Sequence, residues 1–212
     1  IGANNQLTLS ITDDEYFSGN IKALQFETGD NWSYTGTGAA NTTASKYYGT
    51  QSYRIGGVGN LETDNVSIVG YNNVTLKVAF AATGVDSDDD LFLDISYDNG
   101  SNWFSTKLVD GYSNANINIG STSASNPTTV ATNPWVVNIP STETQIKVRL
   151  RTTTNSTTEY YWVDDIVLSG QYCVSCAGPT TNSTFHANSP QNITTNSVTL
   201  NWTPGNGSNR IV

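Results

Sequence analysis

Alternation with a period of two residues governs this chain. Val74-Thr75-Leu76-Lys77-Val78-Ala79-Phe80 sets apolar residues against polar or small ones, and Gln145-Ile146-Lys147-Val148-Arg149-Leu150-Arg151 does the same with charged side chains. Leu91-Phe92-Leu93-Asp94-Ile95-Ser96-Tyr97 keeps the rhythm with an aromatic on the second face. Successive side chains of a strand point to opposite sides of its sheet, so such runs predict half-buried antiparallel strands. Turn clusters separate them: Thr83-Gly84, Asp98-Asn99-Gly100-Ser101, Asn126-Pro127 and Asn133-Pro134. No stretch with helical spacing and caps interrupts the pattern. The chain reads as all-β, with about eight to ten strands between residues 20 and 170, enough for two packed antiparallel sheets. A jelly roll is the expected form of that β-sandwich.

The punctuation of the chain suggests four parts. Residues 1–20 contain one strand-like run, Leu7-Thr8-Leu9-Ser10-Ile11, and form the tail of a preceding domain or a first strand. Residues 21–170 hold the sandwich. Residues 171–184 have linker composition, with Ala177-Gly178-Pro179 and Thr180-Thr181-Asn182-Ser183-Thr184 following a Cys-x-x-Cys. In residues 185–212, Ser189-Pro190 leads to Ile193, then to Ser197-Val198-Thr199-Leu200-Asn201-Trp202 and Pro204-Gly205-Asn206-Gly207. This stretch resembles the opening of a fibronectin type III domain, an immunoglobulin-like sandwich, and the resemblance implies that Trp202 plugs a core. Such a domain needs seven strands, so residues 185–212 are an incomplete one. A chain that lacks Met and begins Ile1-Gly2-Ala3 is expected to be a piece of a longer protein, continuing before Ile1 and past Val212.

Charge narrows the partners. Eighteen acids against nine bases give a net charge of −9, which repels phosphate backbones and argues against nucleic acid. No run of about 18 apolar residues is present to span a membrane. The two cysteines, Cys173 and Cys176, read as a short-range disulfide, with half of a metal site as the other possibility. Together with the loop-and-strand-rich composition they point to an extracellular or cell-surface setting.

The two ends of the sandwich carry a recognisable pairing. Ala23-Leu24-Gln25-Phe26-Glu27-Thr28-Gly29 is soon followed by Trp32, and Tyr160-Tyr161-Trp162-Val163-Asp164-Asp165-Ile166-Val167-Leu168 closes the region. Between them Tyr48-Gly49-Thr50-Gln51-Ser52-Tyr53-Arg54-Ile55 forms a glycine-led strand. Over residues 21–170 this arrangement resembles jelly-roll carbohydrate-binding modules with a structural calcium, and the related MAM adhesion domains. First and last strands of a jelly roll are neighbours, which lets Glu27 and Asp164 converge. Ile166 and Leu168 share a face with Asp164 if the strand is regular, which turns Asp164 inward, where a carboxylate needs a cation or several donors. The resemblance implies calcium at Glu27 and Asp164, with carbonyls from the segment Thr50 to Ser52 as further ligands. The alternative is that Asp164 and Asp165 cap a strand end and meet Arg54 or Arg151.

Other clusters have two readings each. Asp86-Ser87-Asp88-Asp89-Asp90 has the Asp-x-Asp spacing of calcium loops but lacks the Gly and distal Glu of an EF-hand, and reads as a solvated hairpin loop. Lys147, Arg149 and Arg151 project from one face of one strand. They could grip an anionic sugar together with Lys77, or form an exposed face balanced by Asp94. Tyr47, Tyr48, Tyr71, Trp103 and Tyr112 occupy loop-like settings from which aromatic rings could stack on sugars, or simply pack.

Catalysis has little support, since the lone His186 stands apart and no G-x-S-x-G, H-E-x-x-H or Walker sequence occurs. A sandwich joined to a type III domain resembles the appendages of polysaccharide-degrading enzymes and bacterial surface adhesins. The expected function is a non-catalytic carbohydrate-binding or adhesion module of a secreted or cell-surface bacterial multidomain protein. The competing expectation is a structural spacer or protein-interaction domain without a sugar site.

Overall fold

The computed structural model describes residues 16–112, 114–121, 129–156, 158–173, 184–185, 192, 194 and 201–203. The chain divides into two compact units, Ile1–Cys173 and Val174–Val212. Among the described residues there is no helix, and the first unit is an antiparallel β-sandwich.

Strands are numbered in chain order. The first sheet runs β10 (Ala115–Ile117), β7 (Tyr71–Val85), β14 (Tyr160–Cys173), β4 (Ser52–Gly56) and β3 (Ala39–Thr42). β1 (Tyr16–Leu24) also pairs with β14, and β12 (Trp135–Asn138) with β7. The second sheet runs β11 (Thr129–Val130), β9 (Phe104–Asp110), β8 (Leu91–Ser96), β13 (Gln145–Thr152), β5 (Asn60–Thr63) and β2 (Tyr34–Gly36), with β6 (Val66–Ser67) also on β13. The first unit thus has fourteen described strands rather than eight to ten. Long strands such as β7 and β14 are each flanked along one edge by two others laid end to end. The extra strands are segments such as β6, β10 and β11, which at two or three residues are too brief to show a period of two.

Residues 16–20 are paired within β1, against Cys173 to Ser169 of β14, so first and last described strands of the unit lie side by side. The run Leu7–Ile11, Cys176 and most of residues 185–212 lie outside the described residues. Of the second unit a single ladder is described, β15 (Thr184–Phe185) against β16 (Trp202–Thr203).

β13 shows why the pattern folds as it does. Ile146, Val148 and Leu150 are fully buried, while Gln145, Lys147, Arg149 and Arg151 on the other face are half-buried. From the opposite sheet Leu76, Val78 and Phe80 of β7 and Tyr161, Val163, Ile166 and Leu168 of β14 complete the same core. Burying one such aliphatic side chain contributes about 1.5–3 kcal/mol, so a one-residue slip of β13 would forfeit several times that.

β14 departs from regularity at one place that matters. Tyr161 and Val163 face the core, and so do Ile166 and Leu168, which a strict alternation would put on opposite sides. The pairing with β7 jumps between Asp164 and Val167, and Asp165 has φ of 50°. A β-bulge therefore inserts one residue here. Asp164, opposite Ala79, lies on the outer face of the sheet, not in the core as a regular strand would have placed it. It is nonetheless fully buried, because the segment Tyr47 to Gln51 folds over it.

Candidate functional site

The outer face of the second sheet gathers the charged side chains of β13. Register places Arg149 between Glu62 and Asp94, and Arg151 between Asn60 and Phe92, all on one face. Asp94 is the pivot. Its carboxylate is fully buried and accepts hydrogen bonds from Arg149 Nε at 2.9 Å, Arg151 Nε at 2.8 Å and the Ser105 hydroxyl. Arg149 Nη2 also lies 2.9 Å from Asp94 Oδ2. Lys147 pairs with Glu62 at 2.6 Å.

Each guanidinium is backed by an aromatic ring. The Arg149 guanidinium carbon sits 4.2 Å from the centroid of the Trp103 ring, and that of Arg151 sits 4.0 Å from the centroid of Phe92. Such stacking contributes about 0.5–1 kcal/mol at exposed sites, and more as water is excluded. Beside the pair lies an open trough of about 350 Å³, lined among others by Thr37, Asn60, Arg149, Arg151 and Thr153. Lys77 does not join this face. It stands on β7 of the other sheet, 2.5 Å from Asp165.

Glu27 and Asp164 do converge, on the loop between β3 and β4. Glu27 accepts from the Thr50 N–H and hydroxyl and from the Gln51 N–H at 2.7 Å. Asp164 Oδ2 accepts from the N–H groups of Tyr47 at 2.7 Å and Tyr48 at 2.9 Å, and its Oδ1 from that of Asp165 at 2.6 Å. The Ser52 hydroxyl turns away, to the Thr42 carbonyl. These contacts present N–H donors to the carboxylates, whereas the calcium reading needs carbonyl oxygens of Thr50 to Ser52 turned the same way. The donor set as arranged is one of backbone N–H groups and a hydroxyl, not of the carbonyls the resemblance implies. It fits two carboxylates that pin a loop by its backbone. Gly49, with φ of 63°, passes directly against the Glu27 carboxylate, where a Cβ would collide. The alternative partners also differ from expectation. Asp165 meets Lys77 and Gln25 Nε2, Arg54 stacks on Tyr160, and Arg151 serves Asp94.

The two carboxylates titrate in opposite directions. Hydrogen bonds from the Thr50 and Gln51 backbone hold Glu27 below its ordinary range, against a smaller effect of burial. Burial dominates for Asp164 and pushes it up to about 6, although three backbone N–H groups pull the other way.

The five aromatic candidates do not form one platform. Tyr47 and Tyr48 are half-exposed and flank a hollow with Lys77, Val136 and Asp165 on the first sheet. Tyr71 packs edge-on against Tyr172, Tyr112 is exposed after β9, and Trp103 alone serves the second sheet's polar face. Phe92, Ser105, Asn60 and Glu62, which complete that face, were not singled out by the sequence. Their signal was available only through cross-strand register.

The acidic run 86–90 is solvated only in part: Ser87 and Asp88 are exposed, but the loop turns one acid inward. Asp89 is fully buried and Glu159 is 9% exposed, and carboxylate oxygens of Asp86, Asp89 and Glu159 lie within 4.8 Å of one another. Such a cluster can hold a metal ion. Burial, then the neighbouring Asp89 and Asp86, hold Glu159 above the usual carboxylate range. Cys173 ends β14, while its expected partner Cys176 lies outside the described residues.

No protein-family model matches the chain, and no curated protein matches it in sequence. Among solved structures it is similar to TmCBM61 in complex with β-1,4-galactotriose, at 16% identity and a TM-score of 0.38, covering 68% of this chain and 92% of that one. It is similar to the CBM22-1 xylan-binding domain from Paenibacillus barcinonensis, at 14% identity and a TM-score of 0.35, covering 74% and 97% of the two chains. A third neighbour is the K2 cleaved adhesin domain of Lys-gingipain, at 16% identity and a TM-score of 0.37, covering 69% and 96%.

Proposed function

We propose that the first unit is a non-catalytic carbohydrate-binding module that reads an oligosaccharide along the polar face of the second sheet. One observation supports this reading above others: two guanidinium planes, each stacked on an aromatic ring, are fixed by a single buried carboxylate beside an open trough. Sugars present hydroxyls that need donors in fixed positions, and ring faces that favour flat apolar surfaces. Side chains already locked by packing lose little entropy when a ligand arrives. The remaining guanidinium N–H groups and the Asn60 amide supply donors, and the half-buried Trp103 supplies the aromatic surface beside them.

The chemistry of the face supports binding rather than turnover. Hydrolysis of a glycosidic bond takes a free acid and a free carboxylate flanking the bond. Here Asp94 is committed to Arg149 and Arg151, and Glu62 to Lys147. The proposed setting is extracellular or at a cell surface, as part of a longer protein, supported by the acidic composition. No helix among the described residues is long and apolar enough to cross a membrane.

A glycan array probed with the full chain tests the reading. Binding to a defined group of glycans that Trp103→Ala weakens at least tenfold is the expected result. An array without signal for a folded chain would favour the spacer or protein-contact role instead.

A further inference from the structure

The loop between β7 and β8 and the residues before β14 bring together three carboxylates with no cation among them. Oxygens of Asp86, Asp89 and Glu159 lie within 4.8 Å of one another. No salt bridge among the described residues reaches them, and Lys107 spends its ammonium on Asp90 and Asp110, at 2.7 Å each. Asp89 is partly satisfied, accepting from the Asp86 N–H at 2.7 Å and the Asn155 N–H at 3.2 Å. Glu159 is not. Its Oε2 is buried without a hydrogen-bond partner, on a residue only 9% exposed. Buried polar atoms are nearly always paired, so an orphaned carboxylate oxygen facing two further carboxylates marks a missing positive partner.

We propose that Asp86, Asp89 and Glu159 bind a hard divalent cation of the calcium class. The donor set is all oxygen, which disfavours soft metals. It is also irregular and drawn from loops, which suits calcium's flexible shell of six to eight oxygens better than magnesium's strict octahedron. Water completes the shell on the side of the half-exposed Asp86. The ion ties two loops distant in sequence. Besides the Asn155 contact, three hydrogen bonds join them: Asp90 N–H to Thr153 Oγ1 at 2.9 Å, Thr153 N–H to Asp90 O at 3.1 Å, and Thr153 Oγ1 to Asp88 O at 2.6 Å. The site is separate from Glu27 and Asp164, and it does not depend on the sugar-binding reading.

The test uses the full chain, stripped with EDTA and titrated with CaCl₂ or MgCl₂ by calorimetry, with thermal unfolding followed in parallel. The wild type should bind calcium more tightly than magnesium, and its Tm should rise by several degrees in millimolar CaCl₂. Glu159→Gln should bind one fewer ion per chain than wild type, while Glu27→Gln retains that ion. In EDTA, Glu159→Gln should melt no lower than wild type, because it removes one of three mutually repelling charges. Asp86→Asn, altering the half-exposed member, provides a second variant and should weaken calcium binding at least tenfold. Terbium offers an independent readout, since the Tyr161 hydroxyl donates to the Asp89 carbonyl at 2.7 Å and places a sensitiser at the site. Sensitised emission should appear in wild type and vanish in Glu159→Gln. Equal calcium stoichiometry in wild type and Glu159→Gln would overturn the proposal. So would an unchanged wild-type Tm in CaCl₂.

Discussion

Asp94 and Arg149 face each other across β8 and β13, with Asp94 Oδ2 2.9 Å from both Nε and Nη2 of the guanidinium. The acid is fully buried while the base remains 25% exposed. One member of the pair is thus an internal anchor, and the other is the surface it holds in place. Arg151, bonded to the same oxygen, extends that surface by one more row.

Asp94→Asn should therefore do two things at once. It removes the charge that compensates two guanidinium groups, which water can still reach in part, and should lower stability by about 2–3 kcal/mol. Urea unfolding measures that loss. Glycan affinity should fall by more than the stability change implies, because Arg149 and Arg151 lose their common anchor. A variant of unchanged stability would show that the Asp94 cluster contributes nothing net to the fold.

Trp103→Ala addresses the stacked surface with less risk to the core, since Trp103 is only half-buried. Truncation should weaken glycan binding at least tenfold, about 1.4 kcal/mol, with Tm nearly preserved. Tyr47→Ala and Tyr48→Ala, on the other sheet, should leave affinity alone. Parallel titrations of the three variants decide which aromatics matter.

The loop between β3 and β4 should give opposite pH signatures from its two anchors. Glu27 is held below its unfolded value, so its contribution is complete above that value and is lost as pH falls through the folded one. Asp164 is raised to about 6, so the folded state takes up its proton first. Its contribution grows as pH falls from about 7 to about 4 and is constant above that window. Comparing wild type with Asp164→Asn by urea unfolding at pH 7.5 and 5 should show that the wild type gains relative to the variant on acidification. A relative loss would mean that hydrogen bonding, not burial, dominates Asp164.

Gly111→Ala probes how tightly the acidic loop is packed. A Cβ at this position would collide with the carbonyl oxygens of both Asp86 and Asp89. Backbone atoms cannot swing aside as a flexible side chain can, so the substitution should cost about 1–3 kcal/mol. It should also weaken any ion held by Asp86 and Asp89. Thermal unfolding of the variant with and without CaCl₂ reads both effects.

The sequence made the strands legible where both periods and partners were strong. Gln145–Arg151 announces its buried face and its charged face, and the structure gives both, with Asp94 as the balancing acid. Legibility failed where a single inserted residue changed the parity. Asp164-Asp165 reads as one inward acid in a regular strand, but the bulge sends both carboxylates outward and a loop from residues 47–51 buries Asp164. The run Asp86–Asp90 failed for a different reason. Consecutive acids suggest a wet loop, and what buries Asp89 is a fold that carries Tyr161 and Glu159 to it from about seventy positions away. Local pattern holds no trace of such a partner. The same applies to Trp103, whose role appears only when Arg149 is seen lying on its ring.

The central claim is that the polar face of the second sheet binds carbohydrate. Isothermal titration of the full chain with the strongest glycan from an array tests it most directly, using wild type, Arg149→Ala and Tyr47→Ala. The account predicts saturable one-to-one binding, at least tenfold weaker in Arg149→Ala and unchanged in Tyr47→Ala. Binding that survives Arg149→Ala but is lost in Tyr47→Ala would contradict it and move the site to the first sheet.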